Sequence, residues 1–399
     1  MQIDLLSATS YAAGQPHEQF DWLREHDPVH WHKEPGGPGF WAVTRYADVR
    51  SVSRDTSRFS STGTILIDDS TVVEIDGRQM MLTLDPPAHT IWRKLANVDF
   101  RPPAVRDLGP RLRELVTMIV DGVIERGECD LVEDVAGLLP SYVVAELLGI
   151  PHSDGVELYR LTEIIHTAPE TLPDGAVPTA INEMMGFGAK LFEDRKANPG
   201  DDIVSRLAAS DLDGRPVDVI DFSMFFVLLV DACGDTTRNL VSGGMQALFE
   251  HSELRSWLAQ DPARLPAAVE ELLRWVSPVI YMRRTATADT TVAGQPIAEG
   301  DKVVTYFGSA NRDAGVFDRP HQLNLERHPN EHLAFGGSGP HFCIGSQLAR
   351  VEIRMMLNEI LTRMPDIAPA GPVEYLASSF ISGPKHQPVK FTPRPRTSA

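Results

Sequence analysis

The chain has 399 residues, 42% of them hydrophobic and 23% charged, and a net charge of −18. An acidic balance of that size argues against a non-specific binder of nucleic acid or anionic membrane, though it leaves room for a local basic patch. The three cysteines, Cys129, Cys233 and Cys343, are odd in number and widely spaced, which excludes a disulfide framework and a zinc site.

Taken in order, Met1 to Gln19 has neither a basic leader nor an apolar one. A short helix is expected around Phe20–Glu25. Val29-His30-Trp31 and Phe40–Val43 then read as strands joined by the turn Pro35–Gly39, and Tyr46–Ser53 as a helix. Ser60 to Leu84 lacks periodicity and is expected to be a long loop with a short helix. Asp85-Pro86-Pro87-Ala88-His89 leads into a helix holding Trp92, Arg93 and Lys94; residues four apart share a helix face, so His89 and Arg93 are neighbours. Pro110 to Gly149 is helical in pattern, with an apolar stripe at Leu112, Leu115, Val116, Ile119 and Val123. It is interrupted by an extended connector at Glu128–Val132, where Cys129 reads as an inert core thiol. Gly149 and Pro151 stop its last helix. Two helices are expected in 152–198, around a break from Pro169 to Pro178.

The longest helical stretch is Val217–His251, roughly 50 Å. Its middle, Phe225–Val230, is apolar on every side, as a core helix must be. That pattern then breaks at Asp231-Ala232-Cys233-Gly234-Asp235-Thr236-Thr237. Two acids and two hydroxyl residues in a buried helix are unfavourable without a function. Asp231 has two readings, an ion pair or a contact to the polar end of a ligand. Ala267–Trp275 is helical, with Glu271 and Arg274 at neighbouring i,i+3 positions. Val279–Ala286 reads as a strand, two short β units follow, and Ser379–Gly383 reads as a final hairpin.

Everything is organised around Phe335-Gly-Gly-Ser-Gly-Pro-His341-Phe342-Cys343-Ile344-Gly345. Ile344, Leu348, Val351 and Met355 fall on one helical face, so Cys343 sits where a loop becomes a helix N-terminus. A thiolate is favoured there by the helix dipole and the free N–H groups. The glycines let the main chain approach a flat or bulky ligand. A lone thiolate bound to a metal or cofactor fits.

This segment resembles the haem-binding loop of the cytochromes P450. The other segments fall in that family's order, so the resemblance covers nearly the whole chain. The strand after the Glu-x-x-Arg segment and the final hairpin look most like actinobacterial P450s that oxidise steroids, terpenoids and branched lipids. The resemblance implies a mainly α fold with small β-sheets, a single triangular-prism domain over 1–399 with a long central helix above haem b. It implies Cys343 as the iron's thiolate ligand, with Phe335, His341 and Gly345 in the binding loop. It places His89, Arg93, Arg284 and His341 at the haem propionates. Asp235 and Thr236 become the residues that deliver protons to dioxygen, on a helix that is locally opened. Cys233 stands where the family has glycine.

Asp231, Ala232, Ile280 and Ile381 are implied to line the substrate pocket, and 152–198 to form a mobile lid on which His166 faces either the pocket or solvent. Glu271, Arg274 and Arg327 make a structural ion network. The implied reaction is hydroxylation of a hydrophobic small molecule, terpenoid, steroid or fatty-acid-like. No flavin or iron–sulfur motif is present, so electrons are expected from a ferredoxin and its reductase, with Lys94, Arg101, Arg106 and Arg350 as candidate docking charges. The alternatives are another oxidation on the same fold (desaturation, C–C cleavage or coupling) and a haem-thiolate sensor, against which the Asp235-Thr236 pair argues. A soluble cytoplasmic protein without a membrane anchor is expected.

Overall fold

The longest expected helix is the axis of the molecule in the computed structural model, which describes residues 1–71, 73–167 and 172–397. This central helix, Val219–Glu250, runs 32 residues, about 48 Å at the α-helical rise. Asp218 caps it by accepting from the N–H groups of Ile220 and Asp221, and the Asp221 carboxylate reaches back to the Asp218 N–H. That reciprocal box satisfies donors a helix start leaves free. Phe222 through Val230 are all buried, and each large apolar side chain so removed from water contributes about 1.5–3 kcal/mol. Phe222 and Phe226 stack on Phe192 and Phe187 of the Ala176–Ala197 helix, and Phe225 stacks on Trp92 of the Ala88–Ala96 helix. Gly188 permits the approach, since a Cβ there would lie 3.0 Å from the Phe226 ring.

The expected local opening of the central helix is not found. The helix is continuous across Asp231–Thr237. Thr236 Oγ1 donates to the Ala232 carbonyl at 3.0 Å, so the hydroxyl is accommodated within the helical ladder.

Strands β1 (Val29–His32), β2 (Phe40–Val43), β3 (Phe59–Ser60), β4 (Tyr281–Ala286) and β5 (Lys302–Tyr306) form one sheet in the order β1-β2-β5-β4-β3. Only β2 and β5 pair in parallel. The expected Pro110–Gly149 helical stretch divides into Pro102–Asp121, a strand at Glu128–Asp130, a wide turn at Val132–Ala136 and Leu138–Leu148. The Glu128–Asp130 strand pairs with Pro388–Lys390, which sets Cys129 opposite Val389. Burial pushes the Cys129 thiol up to about 12, as an inert core thiol requires. The Ser60–Leu84 loop holds two short 3₁₀ turns and a small hairpin, Glu74–Ile75 with Arg78–Gln79.

Helices His152–His166 and Ala176–Ala197 pack on the central helix. Of the expected break Pro169–Pro178, residues 168–171 lie outside the described residues, and helix resumes already at Ala176. No single helix among the described residues is long and apolar enough to cross a membrane.

Candidate active site

The Cys343 loop is shaped by close backbone contact. Gly336 and Gly339 have φ of +96° and +87°, values that favour glycine. A Cβ on Gly339 would lie 3.0 Å from Arg54 Cα, and one on Gly337 would run into Ser53, so the loop rests directly on the Tyr46–Arg54 helix. The Cys343 N–H donates to the Phe335 carbonyl at 3.0 Å. The N–H groups of Gly345 and Ser346, at the start of helix Ser346–Arg363, point at the Cys343 sulfur and favour its thiolate. Burial works the other way and raises the thiol; a coordinated metal cation would hold it as a thiolate.

Two internal struts fix the loop's ends. Arg350 makes a forked pair with Glu270, at 2.7 and 2.8 Å, and lies 4.5 Å over the Phe335 ring. His332 holds the same Glu270 at 3.1 Å. Burial raises the Glu270 carboxyl, but His332 and Arg350 outweigh it and hold it down near 2. Arg350 is thus a strut and not the free docking charge expected from the sequence.

Beside the loop, four basic side chains converge: His89, Arg93, Arg284 and His341. The rings of His89 and His341 are 4.1 Å apart. His341 Nε2 reaches Ser61 Oγ at 3.1 Å, and Arg93 donates to the Phe342 carbonyl. Burial first, then the neighbouring cations, lower His89 to about 4 and His341 to about 2, and burial lowers Arg284 to about 10. His89 Nδ1 and Arg284 Nε are buried without a partner. Asp85 is the carboxylate acting on both, but its oxygens serve Ser60, Thr62 and the Ser61 N–H. A basic cluster with orphaned polar atoms, whose neighbouring carboxylate is already committed, next to a thiol, fits a ligand that carries two carboxylates and a metal ion. Haem b is such a ligand.

Across from the thiol, the central helix shows its polar break. Ala232 is exposed and Thr236 half-buried, while Asp235 is buried. Asp235 is not free. Arg238 NH2 lies 2.9 Å from its Oδ1, and His166 Nδ1 bonds its Oδ2. Burial raises this carboxyl, but Arg238 and His166 together bring it below the usual range. Asp231 faces His166 Nε2 at 3.1 Å, the ion-pair reading of that residue. Arg238 continues to Glu163 at 2.8 Å and to the Tyr159 hydroxyl. Arg238, Glu163 and Tyr159 were not singled out from the sequence. The Asp235–Arg238 spacing of three was a usable signal, whereas Glu163 and Tyr159 lie more than 70 positions away.

The structural network forms as expected. Glu271 and Arg274 are fully buried and paired twice at 2.8 Å, and Arg327 Nε joins at 3.0 Å. The pocket assignments fare differently. Ile280 has no exposed surface and packs among Phe20, Phe40 and Tyr306, so it does not face a pocket. Extended residues alternate sides, and the neighbouring half-buried Val279 is the one that bridges Ile381. Ile381 itself is buried in that bridge, beside Phe380, whose ring approaches His166 to 6.3 Å.

Comparison with known proteins agrees with this arrangement. The cytochrome P450 family model matches residues 260–364. A steroid C26-monooxygenase of Mycolicibacterium smegmatis is 37% identical over 98% of this chain and 93% of its own. A methyl-branched lipid omega-hydroxylase of Mycobacterium bovis is 37% identical over 89% of this chain and 85% of its own. A Mycobacterium marinum cytochrome P450 solved with pseudoionone superposes with a TM-score of 0.91 at 35% identity, covering 98% of this chain and 99% of that one. A thiol on a glycine loop, a basic cluster and full-length likeness to these enzymes agree, and the chain belongs to the cytochrome P450 family as a haem-b monooxygenase acting on hydrophobic molecules.

Proposed function

We propose that this P450 hydroxylates a steroid-like or methyl-branched lipid substrate, using electrons from a ferredoxin and its reductase in the cytoplasm. The observation that carries the site assignment is the half-buried Cys343 thiol beside four basic groups whose neighbouring carboxylate, Asp85, is taken up by Ser60, Ser61 and Thr62. The names of the relatives, a steroid C26-monooxygenase and a methyl-branched lipid omega-hydroxylase, support the substrate class.

Cys343 is the residue to hold the haem iron, with the Gly345 and Ser346 N–H groups on its sulfur and Phe335 packed behind it. His89, Arg93, Arg284 and His341 bind the propionates. Haem, when bound, supplies the redox chemistry that activates dioxygen, and the protein sets access, polarity and protons. Asp235 and Thr236 handle those protons: Thr236, half-buried on the central helix, carries the hydroxyl, and its neighbour Asp235 is tied to Arg238 and His166. Asp231 and Ala232 border the substrate. The exposed Lys94, Arg101 and Arg106, with the exposed Phe342 ring next to Cys343, form the surface on which a ferredoxin docks.

The test is a titration of the ferric protein with steroids, branched lipids, fatty acids and basic aromatics. A low-spin to high-spin shift with the first two classes is expected; a response confined to the others would overturn the substrate class. Thr236→Ala should divert electrons to hydrogen peroxide, and full product per electron would remove the role given to Thr236.

A further inference from the structure

We propose that His166 is a positioning residue for the oxidation: its imidazolium latches the first lid helix to the central helix and holds the Asp235 carboxylate in place beside Thr236. The proposal rests on the reading of Asp235 and Thr236 given above.

The geometry is a ladder between two helices. Tyr159, Glu163 and His166 on helix His152–His166 face Asp231, Asp235 and Arg238 on the central helix. Both sets are spaced by four and then three, so each lies on one helical face. The rungs alternate in charge: Glu163 to Arg238 at 2.8 Å, Arg238 to Asp235 at 2.9 Å, Asp235 to His166, and His166 to Asp231 at 3.1 Å.

His166 therefore presents both ring nitrogens to carboxylates. A neutral imidazole has one N–H and one lone pair, so one carboxylate would face a lone pair. Only the doubly protonated ring suits both. The surrounding charges agree. The central helix contributes Asp231, Asp235 and Arg238, and the lid helix itself Glu163 and Tyr159. The 132–136 turn contributes Glu133, which acts on Arg238 and Glu163. The C-terminal segment contributes only the Phe380 ring directly, while its His386 is tied to Asp130 at 3.0 Å. With His166 neutral, three carboxylates (Asp235, Glu163, Glu133) would share Arg238, and Asp231 would lose the cation it faces.

Burial lowers the His166 pKa, but the two aspartates outweigh it and raise it well above the ordinary histidine value. A group raised in this way is fully engaged below its unfolded pKa and lets go as pH climbs through its folded one. The latch is therefore closed at neutral pH and released on the alkaline side. Release frees the end of the lid helix and takes one of two cations from Asp235. No signal in the sequence near His166 marks this, because its partners lie on another helix.

The test is hydrogen exchange of the haem-loaded protein across pH, corrected for intrinsic rates. Amides of 152–167 should exchange at least about tenfold faster above the latch midpoint than below it. Asp231→Asn removes one carboxylate and should move that midpoint down by about one pH unit. His166→Gln should exchange fast with a flat profile, and its peroxide yield at neutral pH should rise to that of the native protein at alkaline pH. Unchanged exchange in 240–250 verifies that the variants are folded. A flat profile in the native protein, an alkaline step that survives in His166→Gln, or an unchanged peroxide yield in that variant overturns the proposal. Thr236→Ala separates the two readings: if it stays coupled, the proton role of that pair falls, while the exchange profile still decides the latch.

Discussion

The two sides of the site are held by different forces. On the cysteine side, Gly337 and Gly339 lay the loop directly on the Tyr46–Arg54 helix, and Glu270 ties both ends of it through His332 and Arg350. On the opposite side, the His152–His166 helix meets the central helix through Arg238, Asp235, His166 and Asp231. Backbone contact of the first kind leaves little freedom, which suits a residue that must present one sulfur atom in one place. Charge contact of the second kind depends on protonation, which suits the lid role proposed for this helix. Rigid contacts and protonation-dependent contacts are thus kept in separate parts of the site.

This contrast can be broken on its rigid side in three places. The largest effect is expected at Arg274. It and Glu271 are fully buried, and removing one partner of a buried pair is strongly destabilising. Arg274→Ala should lower unfolding stability by about 3–5 kcal/mol, measured by chemical denaturation. A loss as small as that of an exposed pair would show that the network does not support the core.

Arg284 comes next. It has an orphaned buried nitrogen, and the nearby Asp85 carboxylate is taken up by Ser60, Ser61 and Thr62. Arg284→Ala should weaken haem retention by about 1.5–3 kcal/mol, read as faster transfer of haem to an apoprotein acceptor. Unchanged transfer would remove Arg284 from the propionate site.

The smallest effect is at Gly337. Its added Cβ would meet Ser53 and come within 3.2 Å of the Val49 carbonyl. Gly337→Ala should cost about 1–3 kcal/mol. Adding Ser53→Gly should recover part of that, because it removes the side-chain half of the clash. No recovery would mean that the close approach is not what Gly337 provides.

The same contrast explains what was legible in the sequence. The Cys343 loop, the Glu271–Arg274 pair and the Asp235–Thr236 pair are short-range patterns, set by helix periodicity or by turns that need glycine. They are visible as spacing; the loop and the Glu271–Arg274 pair assemble as expected, whereas the helix opening expected at Asp235–Thr236 is not found. Arg350 was misjudged as a free charge because its partner Glu270 lies 80 residues away. His166 could be read either way for the same reason, with Asp235 69 positions distant. Ile280 was misplaced because an extended chain changes sides at each residue, and packing puts Ile280 on the side of Phe20, Phe40 and Tyr306. Long-range electrostatics and strand register are fixed by tertiary packing, which local periodicity does not encode.

The most direct test of the account is the ferrous–CO absorption spectrum of the purified haem-loaded protein beside that of Cys343→Ala. The account predicts the strongly red-shifted Soret band of a thiolate-ligated haem in the native protein and its loss in the variant. The same band in both proteins would contradict it, because the iron would then be held by a residue other than Cys343.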